Sequence, residues 1–155
     1  MRSTQVKEFH TTYGQPVHSE QASFDHMSTA RIAMRLGLII EEVKELLLDG
    51  FDIETEIAYR TKGVYTSKLS SAVSASNSWS ILGAADALGD LSYVIDGFAI
   101  EAGIPLDAVI NEIHSSNMSK LDADGFPIYR EDGKVLKGPN FREPDLYNVI
   151  FKKDK

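Results

Sequence analysis

The sequence predicts an all-α protein: a bundle of four to five helices with a short C-terminal β-hairpin or extended tail. Three observations carry that expectation. Apolar residues recur at helical three- and four-residue steps through most of the chain. Glycines stand just past two of the longest such runs, at Gly50 and Gly103. Only one short stretch near the end shows the extended runs about an Asp-Gly that mark a hairpin.

In chain order, Val6, Phe9, His10 and Tyr13 predict a short helix that Gly14-Gln15-Pro16 interrupts. Ser28 or Thr29 can cap a second helix running to about Asp49, with Gly50 as its stop. Residues 51–60 fit a helical turn or two. In 62–80, seven of nineteen residues are serine, which reads as a flexible insertion at about 61–80, since it buries little to offset its ordering entropy. A third helix covers about Ile81 to Ala102, and Pro105 opens a fourth running to about Ser119. In 127-PIYREDGKVL-136, two extended runs flank Asp132-Gly133, and 137-KGPNFREPDL-146 reads as irregular. No repeat or second domain is visible, so residues 1–155 read as a single domain.

Composition narrows the function. A formal net charge of −7 argues against a grip on a nucleic-acid polymer. The absence of cysteine excludes disulfides, thiolate metal sites and cysteine nucleophiles. Neither a signal peptide nor a membrane-length apolar run is present, which predicts a soluble, cytoplasmic protein.

The chemistry-bearing feature is 38-LIIEEVKELLLD-49, where Glu41, Glu42, Glu45 and Asp49 accompany one cation, Lys44. At about 100° per residue, these four acids fall within an arc of roughly 100°. Leu36, Ile39, Ile40, Val43, Leu46 and Leu47 lie on the opposite side. Most acidic arcs are simply solvated, but Met34, Leu38 and Leu48 wall this one. The helix at 81–102 repeats the pattern, with Asp86 and Asp90 stacked four apart, Tyr93 and Gly97 continuing the line, and Leu88, Leu91, Ile95 and Phe98 on its other face. Two such acidic lines can face each other only with cations between them. Hard carboxylate oxygens favour Mg²⁺, with Mn²⁺ as the alternative. The four histidines, His10, His18, His26 and His114, form no Glu-x-x-His pair of a di-iron bundle. Asn117 and Lys120, three apart at a helix end, are followed by Lys134, Lys137 and Arg142. Metal-binding carboxylates together with such cations suit a polyphosphate, which an activated water can cleave if a glutamate takes its proton. Helix 81–102 is apolar on several sides and the hairpin cannot stand alone, so a homodimer or a dimer of dimers is expected.

Several ordered motifs together resemble a known family. They are EEVKE (41–45), DALGDLSYV (86–94), GIPLDAV (103–109), HSSNMSKL (114–121), DGKVLKGPNF (132–141) and PDL (144–146). Their order is similar to that of the MazG-like all-α nucleoside triphosphate pyrophosphohydrolases, in the phosphoribosyl-ATP pyrophosphohydrolase-like branch. The resemblance implies Mg²⁺-dependent cleavage between the α- and β-phosphates, giving a nucleoside monophosphate and pyrophosphate. It places metal ligands at Glu42 and Glu45 (E-x-x-E) and at Asp90 of E-x-x-D, with Glu41 and Glu42 as catalytic groups. The chain departs from the pattern at Ala87, where the family has glutamate, and Asp86 is the substitute on the same face. Asn117 and Lys120 match an asparagine–lysine motif that reaches sugar or phosphate, and Lys134 and Lys137 match a phosphate-side pair. Three functions follow: hydrolysis of a non-canonical or surplus nucleoside triphosphate, hydrolysis of phosphoribosyl-ATP, or a catalytically weak nucleotide-binding or regulatory module.

Overall fold

The computed structural model describes residues 2–54, 80–131 and 133–151. These hold five helices: α1 (Arg2–Thr12), α2 (Thr29–Phe51), α3 (Ile81–Ala102), α4 (Leu106–Met118) and α5 (Leu146–Phe151). The all-α expectation is met. The serine-rich insertion lies outside the described residues apart from Ser80, as do residues 55–60. Among the described residues, no helix is long and apolar enough to cross a membrane.

The chain forms two compact units. One comprises residues 1–9 and 25–98, the other residues 10–24 and 99–155.

In the first unit, Ser28 caps α2 by accepting the Arg31 N–H at 3.1 Å. The helix runs through Gly50 and ends at Asp52, which takes the left-handed conformation at φ 55°. Its N–H donates to Leu48 O at 2.8 Å, and the N–H of buried Ile53 donates to Leu47 O at 2.9 Å. Gly50 is therefore not the stop its position suggested. A Cβ on Gly50 would lie 3.1 Å from the Ala84 Cβ, and one on Gly83 would overlap the Asp49 carbonyl. Small residues here let α2 and α3 approach closely. Ser80 opens α3, its hydroxyl accepting the Gly83 N–H at 3.0 Å, and its own N–H donates to Gly50 O at 2.8 Å. The buried side of α3 in this unit is Ala84, Ala87, Asp96 and Gly97. Leu88 and Ile95, expected on a core face, are exposed, because the small side chains take the packed side. Phe9 meets Tyr93 edge-on, with ring centres 5.6 Å apart.

In the second unit, His10 is buried with Nδ1 2.8 Å from the Pro16 carbonyl, which ties down the chain after α1. Gly103 ends α3 at φ +69°, and a Cβ there would sit 2.6 Å from His18 Cδ2. Pro105 precedes α4 without a side-chain cap. The expected hairpin reduces to one antiparallel bridge, Tyr129 to Val135, with no named strand among the described residues. The Arg130 N–H donates to Lys134 O and the Gly133 N–H to Arg130 O, so three residues rather than two separate the bonded pair 130/134. The flanks of the bridge are mostly exposed, and a lone two-stranded pairing is marginal in water. Helix α5 follows the irregular 137–145 segment, and Asp145 caps it. The carboxylate of Asp145 accepts the Asn148 N–H at 3.1 Å.

Candidate active site

The acid cluster belongs to the first unit. Glu41 and Glu45 are exposed on α2, Glu42 is half-buried between them, and Asp86 and Asp90 are exposed on α3. Helical spacing sets the two lines, and the close contacts at Gly50 and Gly83 bring them into each other's field. The Glu42 carboxyl is held above its usual value of 4.5. Partial burial is the largest cause, followed by the negative charges of Glu45, Asp90, Glu41 and Asp86. Four of the expected acids thus act on the carboxyl of a fifth, Glu42, whereas Asp49 is not among the groups acting on it.

Glu42 Oε2 is also a buried oxygen with no hydrogen-bond partner. Such an atom costs free energy unless something else satisfies it. Among the described residues, no three of these donors yet converge tightly enough to hold an ion. The donor set still fits a hard divalent cation in charge and chemistry. It consists of five carboxylates with no soft ligand, and four of them are exposed and able to turn toward an ion. Ala87 is 4% exposed, so its Cβ faces the packed side of α3 while Asp86 and Asp90 face outward.

The expected substrate groups belong to the second unit. Lys120 Nζ donates to Asn117 Oδ1 at 2.7 Å, at the end of α4. Lys137 Nζ donates to Glu143 Oε1 at 2.7 Å and lies 4.1 Å from the centre of the Phe141 ring. Lys134 is exposed beside the bridge. Sequence reasoning missed the role of Arg142. Its Nη1 donates to Glu112 Oε1 at 2.6 Å, its Nη2 to Ser115 Oγ, and its carbonyl accepts the hydroxyl of buried Ser116 at 2.8 Å. The Arg142 hydrogen bond, then the Asp145 N–H, hold the Glu112 carboxyl below the usual carboxylate range. No sequence signal pairs Arg142 with Glu112, because the two lie thirty residues apart.

The Glu42 shift has a consequence for stability. Because the folded-state value is raised, ionisation costs the native state more than the unfolded chain. That penalty is absent below the usual value of 4.5, grows as pH rises past it, and is complete above the raised value. Glu42→Gln should therefore raise the urea midpoint of the metal-free protein at pH about 7 and lose that advantage by pH about 4. Equal midpoints at both pH values would show that Glu42 is not under this pressure.

Comparison with known proteins identifies the family. The family model described as phosphoribosyl-ATP pyrophosphohydrolase matches residues 6–117, which include α2, α3 and Asn117. No curated protein matches the chain. A solved structure "of a putative NTP pyrophosphohydrolase" from Exiguobacterium sp. 255-15 is 25% identical, with 96% of this chain and 93% of that chain covered. Its TM-score of 0.43 is too low to carry an argument about fold or chemistry. The family match spans both acid-bearing helices, and the chain belongs to the phosphoribosyl-ATP pyrophosphohydrolase family, MazG-like all-α pyrophosphohydrolases that act on nucleotides.

Proposed function

We propose that the protein hydrolyses a nucleoside triphosphate between the α- and β-phosphates, with Mg²⁺ as cofactor and Mn²⁺ as a substitute. Water adds across the α–β anhydride, that P–O bond breaks, and a nucleoside monophosphate and pyrophosphate leave. The observation that carries this reading is the Glu42 carboxyl, raised by burial and then by four neighbouring acids, and left with an orphaned buried oxygen. Such a cluster is costly by itself and is explained by a cation it is built to receive. Glu42, Glu45, Asp86 and Asp90 would hold that ion, which when bound would offset charge on the phosphate oxygens. Glu41 and Glu42 are the groups suited to accept the proton of the attacking water. Asn117, Lys120, Lys134 and Lys137 are assigned to sugar and phosphate oxygens. Their chemistry supports this, since Lys120 and the Asn117 amide can donate to such acceptors.

Phosphoribosyl-ATP is the second substrate reading, supported by the description of the matching family. Pyrophosphate release should be measured with Mg²⁺ over a panel of nucleoside triphosphates and phosphoribosyl-ATP. One substrate class should stand out, and Glu45→Gln should lower turnover at least about 100-fold, since an amide is a poor ligand for a hard cation. Near-normal turnover in Glu45→Gln would remove it from the site, and no release from any substrate would leave a binding module.

The active form is proposed to be a homodimer or a dimer of dimers. Ile81 and Leu82 are 82% and 81% exposed, and Leu36, Leu48 and Leu88 on the same two helices are also open. Light scattering at micromolar concentration should give at least twice the mass of the chain. A fully active monomer would refute this.

A further inference from the structure

We propose that Arg142, anchored by Glu112, is a positioning residue for substrate: it fixes the last turn of α4 so that Asn117 and Lys120 present their donors to ligand oxygens. The proposal deepens the functional reading above and rests on Asn117 and Lys120 contacting substrate.

The last turn of a helix has unsatisfied carbonyls and tends to fray. In α4 that turn is held from outside. Arg142 reaches it through four groups: Nη1 to Glu112 Oε1 at 2.6 Å, Nη2 to Ser115 Oγ, its N–H to Ser119 Oγ at 3.0 Å, and its carbonyl from Ser116 Oγ at 2.8 Å. Glu112 Oε1 accepts the Asp145 N–H as well, at 2.9 Å. The Gly138 N–H donates to Lys120 O at 3.0 Å, and a Cβ on Gly138 would overlap the Leu121 carbonyl. These bonds land at 112, 115, 116, 119 and 120, on either side of Asn117, whose side chain stays exposed.

The orientation of the presented pair follows from its own bond. A lysine has no acceptor, so the atom facing Lys120 Nζ at 2.7 Å must be the Asn117 oxygen. The Asn117 amide N–H groups and the remaining ammonium hydrogens then point elsewhere, as donors only. A donor-only pair suits ribose hydroxyl or phosphate oxygens, and its usefulness depends on the turn that carries it being fixed.

The guanidinium fork is the part that lysine cannot reproduce, because it bonds Glu112 and Ser115 together. In Arg142→Lys, KM for the nucleotide should rise about tenfold with kcat within about twofold, which is the signature of lost binding. A merely structural role would lower the folded fraction and hence apparent kcat at unchanged KM. Glu112→Gln, which keeps an acceptor, should recover most of the wild-type KM. The double variant Arg142→Lys/Asn117→Ala should be no worse than Asn117→Ala, since one residue acts through the other. If Arg142→Lys fails to fold, Ser115→Ala removes one arm of the fork and should raise KM about threefold. An unchanged KM in the variant that folds, or fully additive effects with Asn117→Ala, overturns the proposal. A wild-type chain that releases no pyrophosphate overturns the functional reading instead, and the substrate role with it. Faster amide exchange across Ser116–Leu121 in Arg142→Lys would then mark Arg142 as a structural latch alone.

Discussion

Like-charge repulsion between α2 and α3 is the constraint around which the first unit is built. Burial raises the Glu42 carboxyl, and the charges of Glu45, Asp90, Glu41 and Asp86 raise it further. Left alone, two such lines would push the helices apart. The two helices nonetheless touch closely at two glycines. Gly50 lies against Ala84, and Gly83 lies against the Asp49 backbone, so neither glycine has free room for a Cβ. Close packing at one end of the helix pair thus sustains electrostatic tension along it. That is the arrangement expected of a site whose ligand supplies positive charge.

The second unit works by a different principle. Here one arginine links several directional polar bonds at the end of α4. Arg142 binds Glu112, Ser115, Ser116 and Ser119 through its side chain and its backbone. The segment from Gly138 to Asp145 is irregular, yet it is fixed to α4 more firmly than an unpaired loop would be. Loops that carry functional groups need that support.

Much of this was legible in the sequence. The α3 boundaries followed from helical periodicity and from Gly103, whose left-handed conformation is the ordinary glycine stop. The acid lines were legible because a helix turns residue spacing directly into shared faces. Gly50 was misread because a glycine needed for close approach looks the same in sequence as one that ends a helix. Only the presence of Ala84 opposite it separates the two. The hairpin was over-read because a turn dipeptide specifies a reversal, not the partner surface that strands need. Burial on α3 was misassigned for a related reason: hydrophobicity predicted Leu88 and Ile95 inside, but interhelical distance selected Ala84 and Ala87. The Arg142 latch joins residues thirty apart, and nothing in one sequence pairs them.

The central claim is that the acids of α2 and α3 form a cation site, and ligand-linked stability tests it without any turnover. Thermal unfolding of the metal-free protein at neutral pH should be followed during titration with Mg²⁺, for wild type and for Asp86→Ala/Asp90→Ala. A cation that binds only the folded chain stabilises it by about 2.7 kcal/mol at a hundred times its Kd. The account predicts a midpoint that climbs with the logarithm of Mg²⁺ concentration in wild type and stays flat in the variant. An identical climb in both proteins, or no climb in wild type, would contradict it.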